Sequence, residues 1–197
     1  DSNFFKESDS ATESPDSTQY LRIVPGIAIS NPNPSKFGFV FAADADVRVY
    51  LTENEKIQQQ SNVGARGDLK LTILPRGPVT IDIYDVLRRS LDARSLDSTD
   101  GYNKTFNKAG LNLGIHPGGG ALDITVGYSF NFTFFDGFKD ANSLQHDLLF
   151  RTSWRFYPKT AAFIEATALF NDWAGDSDYS ATFVDSKNFR TAVGLRG

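Results

Sequence analysis

The chain has 197 residues, a net charge of −4, and neither cysteine nor methionine. The length suits one sizeable domain, and so small a net charge excludes the basic footprint of a nucleic-acid binder, so no nucleic acid is expected as a partner. Disulfides, thiolate metal sites and cysteine nucleophiles are excluded outright, and a chain without methionine is expected to have lost an upstream leader or more.

No apolar run reaches 18 residues, so no helix is expected to span a membrane. The mean hydropathy of −0.31 does not argue against a membrane barrel, because in a barrel every second residue faces the lumen and dilutes the average.

Residues 1 to 18, DSNFFKESDSATESPDST, are polar, acidic and without a period, and are expected to form an extracellular loop ahead of strands over 19 to 197. From Gln19, Leu21, Ile23, Ile27 and Ile29 share one face, with Tyr20, Arg22, Gly26 and Ser30 on the other. After the turn NPNPSK a long strand sets Phe37, Phe39, Phe41, Ala43, Ala45, Val47, Val49 and Leu51 against Gly38, Asp44, Asp46, Arg48 and Tyr50. Residues 52 to 66 read as a polar loop, and Leu69, Leu71 and Ile73 as a third strand that carries Lys70 on its polar side. The turn PRGP leads to a fourth strand, in which Val79, Ile81 and Ile83 oppose Thr80, Asp82 and Tyr84, with Arg88 further along.

Residues 89 to 104 read as another polar loop, and a fifth strand puts Ala109, Leu111, Leu113 and Ile115 against Lys108, Gly110, Asn112 and Gly114. The sixth is the longest alternation: Leu122, Ile124, Val126, Tyr128, Phe130, Phe132 and Phe134 interleave with Asp123, Thr125, Gly127, Ser129, Asn131 and Thr133. An ordinary strand runs about five or six residues, whereas a tilted strand needs about ten to cross a bilayer. The seventh strand has Leu144, Leu148, Phe150, Trp154 and Phe156 opposite Gln145, Asp147, Arg151, Ser153 and Arg155. The eighth has Ala162, Ile164, Ala166, Ala168 and Phe170 opposite Glu165, Thr167 and Asn171, with Phe163 and Leu169 as apolar intruders on the polar side. A ninth strand carries Phe189, Val193 and Leu195, with Arg190 on the other side.

Pro34, Pro75, Pro117 and Pro158 mark short turns spaced by 41, 42 and 41 residues, and long polar loops fall between them. Short connections on one side and long ones on the other is how outer-membrane barrels are built, with the short turns periplasmic. In hydrocarbon every backbone N–H and C=O must be paired, which strands achieve only in a closed sheet. Phe37, Phe39, Trp154, Phe156 and Tyr157 near the short turns, and Phe132, Phe134, Phe170 and Trp173 toward the loops, fit two aromatic girdles. The fold expected is therefore an all-β, antiparallel up-and-down transmembrane β-barrel, of which about nine strands are present as part of a larger barrel.

The expected lumen-facing charges are Arg22, Asp44, Asp46, Arg48, Lys70, Asp82, Lys108, Asp123, Asp147, Arg151, Arg155, Glu165 and Arg190. Such a mixture suits a wet channel that selects by charge or a salt-bridged plug, and a self-paired interior with no specific ligand is the simplest alternative. No catalytic residues, cofactor or metal site are expected. His116 lies in a turn and His146 on a mainly apolar face, and the nucleophile-elbow, zinc-protease and phosphate-loop patterns are absent. The Asp44 and Asp46 pair is what a polar strand face carries without any chemistry, Gly118 to Gly120 read as turn geometry, and the acidic stretch GDSDYS is unspecific for calcium. The acceptor patterns at Asn103 and Asn131 carry no weight in a chain expected to be bacterial.

The segments DSNFF, YLRIVPGIAIS, HPGGGALDITVGYSF and DLLFRTSWRFYPKTAAFIEATALFNDW resemble the putative β-barrel porin family of bacterial outer membranes, often encoded near exopolysaccharide functions. The resemblance covers most of the chain. It implies that Asp1 and Asn3 close a first ascending strand that lies upstream, and that Arg155 to Pro158 form a recurring Arg-aromatic-Pro turn. Gly197 departs from the family, whose barrels usually finish on an aromatic residue. The expected function is a porin-like outer-membrane channel for hydrophilic solutes or polysaccharide export, in contact with outer-membrane lipid and lipopolysaccharide. The alternative is a structural barrel docking periplasmic or lipoprotein partners of an envelope-spanning secretion or motility complex. A soluble β-sandwich or lipid-carrying barrel is a third reading, and it requires the apolar rows to meet in a dry centre.

Overall fold

The computed structural model describes residues 19–31, 35–51, 62–90, 103–136, 141–173 and 185–197. The acidic segment 1–18, the calcium-like stretch GDSDYS and most of the long polar loops lie outside these residues. Strands β1 (Gln19–Ile23), β2 (Gly26–Ser30), β3 (Phe37–Leu51), β4 (Asn62–Ile73) and β5 (Val79–Ser90) are followed by β6 (Lys104–Ile115), β7 (Leu122–Phe135), β8 (Ser143–Tyr157), β9 (Thr160–Trp173) and β10 (Ser186–Arg196). All ten belong to one antiparallel sheet: β1 and β2 both pair with β3, and from β3 onward each strand pairs with the next in sequence, so the topology is up-and-down. From β3 to β9 every strand has 12 to 15 residues, long enough to reach across a bilayer when tilted.

β1 and β2 are one ribbon broken at Val24 and Pro25. Proline has no N–H to give to a ladder, yet the register runs on across the break, from Ile23 opposite Val47 to Gly26 opposite Asp44. The Pro25 carbonyl still accepts from the Ala45 N–H at 3.0 Å, so Leu21, Ile23, Ile27 and Ile29 keep a common face, as the alternation predicts.

Two expected loops prove shorter than their composition suggests. Residues 62 to 66 belong to β4, paired with β3 from Arg48–Asn62 to Asp44–Arg66, and Arg89, Ser90 and Lys104 extend β5 and β6. Glycine and polar residues at these strand ends carry little local β signal, and cross-strand hydrogen bonds supply what propensity does not. The stretch 117–120 forms a single 3₁₀ turn, with Gly120 at φ +89° where a side chain would be strained.

No second layer covers the sheet among the described residues, where the principal strand contacts are all with hydrogen-bonded neighbours. Among the described residues the only buried hydrophobic is Ala141, whereas Ser129 and Asn131 on the polar face are 4% and 6% exposed. Ile29, Val126, Leu148 and Trp154 on the apolar face stand at 48%, 47%, 47% and 58% exposure. Burying one such side chain is worth roughly 1.5–3 kcal/mol, so a face of this size left in water forfeits on the order of tens of kcal/mol. The sheet is open: the outer edges of β1 and β2 at one side, and of β10 at the other, have no partner strand among the described residues.

Candidate functional site

Period two makes charge a property of the face, and register makes it a property of neighbours. All thirteen charged residues expected to share a face do so: the ladder links Arg22 to Arg48, Asp44 to Arg66, Thr72 to Asp82, Asp82 to Asn112, and Lys108 to Asn131. It continues through Ser129 to Asp147, Arg151 to Glu165 and Thr167 to Arg190. Arg66, Asp68, Arg88, Lys104 and Arg196 fall on the same face. Arg66 escapes a sequence reading because it sits where the composition suggests a loop.

The charges meet in short ladders running across the strands. On β1 and β3, Arg22 and Arg48 stand directly opposite each other, and Asp46 lies between them. Its carboxylate accepts from Arg22 Nε at 2.8 Å, Arg22 Nη2 at 3.1 Å and Arg48 Nη2 at 2.8 Å. The like-charged pair would repel, and the shared acid converts it into a bridge. The next ladder repeats the device: Arg66 and Arg88 are opposite one another, and Asp68 accepts from Arg66 Nε at 3.3 Å and Arg88 Nη2 at 2.6 Å. Asp82 holds Lys70 at 3.5 Å and the Thr72 hydroxyl at 2.6 Å.

Asp147 is the best-connected acid. Its carboxylate accepts from Lys108 Nζ at 3.0 Å, Ser129 Oγ at 3.1 Å, Asn131 Nδ2 at 3.0 Å and Gln145 Nε2 at 2.5 Å, drawing β6, β7 and β8 together. Beside it a pocket of about 250 Å³ is lined by Tyr84, Lys108, Asn112, Ser129, Asp147 and Thr167 among others. Arg151 pairs with Glu165 at 2.8 Å, and His116 Nδ1 lies 2.7 Å from Asp123 Oδ1.

Glycines on this face act as seats. Tyr84 lies over Gly110, directly opposite it, and Asn112 over Gly127 in the same way. The intruder Phe163 is explained likewise: its ring covers Gly194, where an added Cβ would sit 2.8 Å from it, and Arg196 stacks on the ring at 5.7 Å.

The apolar face has its own exceptions, which the alternation does not announce. At the loop end, Arg89 bonds Asp136 at 2.6 Å and Thr105 Oγ1 at 2.9 Å, while Asp85 accepts from Asn107 Nδ2 at 3.0 Å. Tyr128 OH and His146 Nδ1 pair at 2.8 Å. A hollow of about 650 Å³ borders this face where Ala43, Ala45, Ala65 and Gly67 leave space between Ile27, Phe41, Leu69 and Leu87. Of the expected girdle residues, Phe37, Phe39, Trp154, Phe132, Phe134 and Phe170 lie on the apolar face, but Trp173 does not: it pairs with Ser143, on the parity of Gln145 and Asp147. One residue separates Phe170's parity from Trp173's, because the spacing between them is odd.

No group of three or more possible metal ligands occurs among the described residues. The fold and this face together define an antiparallel up-and-down sheet with one hydrocarbon-like surface and one charged surface. No family model, no curated protein and no solved structure matches the chain.

Proposed function

We propose that this chain builds the wall of a bacterial outer-membrane β-barrel, related to the putative β-barrel porins, that passes hydrophilic solutes or polysaccharide. The observation that carries the reading is the inversion of burial. Among the described residues the buried side chains include Ser129 and Asn131 of the polar face, while large apolar side chains stand exposed with no second layer over them. A water-soluble sheet of this length would hide that face, and a membrane supplies the surroundings it needs.

Strand length, aromatic residues at both ends of the apolar face, and the sorting of short turns from long connections support the same reading. Closure needs more strands than the sheet contains. β10 runs parallel to the β1–β2 ribbon, since nine ribbons alternate in direction, so an all-antiparallel cylinder requires an odd number of additional strands between them.

Dense charge pairing on the polar face keeps a second reading in play: a sealed barrel whose loops or turns dock other envelope proteins. Single-channel recording of the full-length protein in a planar bilayer separates them. Discrete conductance steps are expected for the channel, and a flat trace with correctly inserted protein sinks it in favour of the structural barrel.

A further inference from the structure

We propose that the polar face prefers anions, with the selecting charge on β8, β9 and β10. The inference rests on the channel reading above. The chain as a whole is acidic, at −4, but its charges are segregated. The segments outside the described residues hold thirteen acidic and four basic residues, and the described residues hold eleven acidic and sixteen basic ones. On the polar face alone, eleven basic side chains stand against seven acidic ones.

The surplus is also localised. In the middle of the sheet acids and bases balance, as in the Lys70–Asp82 and Lys108–Asp147 pairs. One extra positive charge sits in the Arg22–Asp46–Arg48 bridge, at the β1 edge. With Asp147 of β8 taken up by Lys108 of β6, the four arginines of β8 to β10, Arg151, Arg155, Arg190 and Arg196, are left with one acid, Glu165, a remaining excess of three. Arg155 and Arg190 have no ion pair among the described residues, and all four arginines are exposed. Arg155 and Arg196 flank Ala161 on neighbouring strands near the short turns, so two guanidinium groups crowd one end of the face. Like charges left unpaired on one face lose energy to mutual repulsion, and a passing anion relieves it.

The test is the reversal potential of the full-length protein in a planar bilayer under a potassium chloride gradient. Because surplus charge in a narrow water-filled space raises the local counter-ion concentration by about tenfold or more, chloride should permeate at least about threefold better than potassium. The triple variant Arg155→Glu, Arg190→Glu, Arg196→Glu should reverse the sign, and Lys187→Gln, which removes a charge from the apolar face, should leave it unchanged. Conductance steps with no selectivity, with cation preference, or with a sign that the triple variant does not move overturn the anion inference and leave the channel standing. Absence of steps overturns both. Heat-dependent mobility of each variant on gels confirms that it has folded.

Discussion

Ser129 is 4% exposed and Val126, three residues earlier on the same strand, is 47% exposed. They lie on opposite faces of β7: Ser129 donates to Asp147 at 3.1 Å, and Val126 sits in a row with Leu113 and Phe150. A protein folded around a dry core shows the reverse order, and the energetic consequences can be measured.

Leu148 and Leu149 are adjacent and chemically identical but face opposite ways, Leu148 opposite Tyr128 and Leu149 opposite Gly127. On the proposed membrane reading, Leu148→Arg in lipid vesicles is expected to destabilise the folded protein by about 2–4 kcal/mol, the cost of a guanidinium on a lipid-facing surface. Leu149→Arg is expected to cost less than half as much, because it shares the polar face with Asp147, Ser129 and Thr167. Equal losses in urea titrations of the two variants would contradict the assignment of faces.

Asp147 joins three strands through four donors. Asp147→Ala leaves Lys108 and two amides without their acceptor and is expected to cost about 2–4 kcal/mol, within the range for breaking a partly buried charged network. Removing Lys108 as well should recover part of that loss. A double-mutant cycle showing no coupling between the two positions would mean that the bridge contributes nothing.

Gly110 gives Tyr84 the space to lie flat across β6. Gly110→Val should destabilise by about 1–3 kcal/mol through overpacking, and adding Tyr84→Ala should restore most of the stability by emptying the seat. Additive losses in the double variant would show that the ring has another resting place.

On the apolar face, Arg89 is neutralised by Asp136 at 2.6 Å. Asp136→Leu alone strands a cation on the apolar face and is expected to cost about 1.5–3 kcal/mol, whereas the double change with Arg89→Leu should be close to neutral. Unfolding midpoints of the single and double variants in detergent decide it, and a double variant as unstable as the single would show that the pair does more than cancel charge.

The anion preference is the prediction most sensitive to added strands. β10 is an edge, so acids supplied by a neighbour there would neutralise Arg190 and Arg196, and the reversal potential would move toward zero.

The sequence alone determined the two faces and where the strands turn. Alternation is local: each residue's side is set by its position relative to the next, so a single row of letters assigns all thirteen charges to one surface, and proline marks the short turns. Only the tertiary structure decided which charges meet. Lys108 reaches Asp147 across an intervening strand and 39 positions, and Arg89 finds Asp136 across 47, because register is a relation between strands that no one strand encodes. The same reason explains the strand ends at Asn62 and Lys104, where backbone pairing extends a ribbon through residues whose own composition suggests a loop.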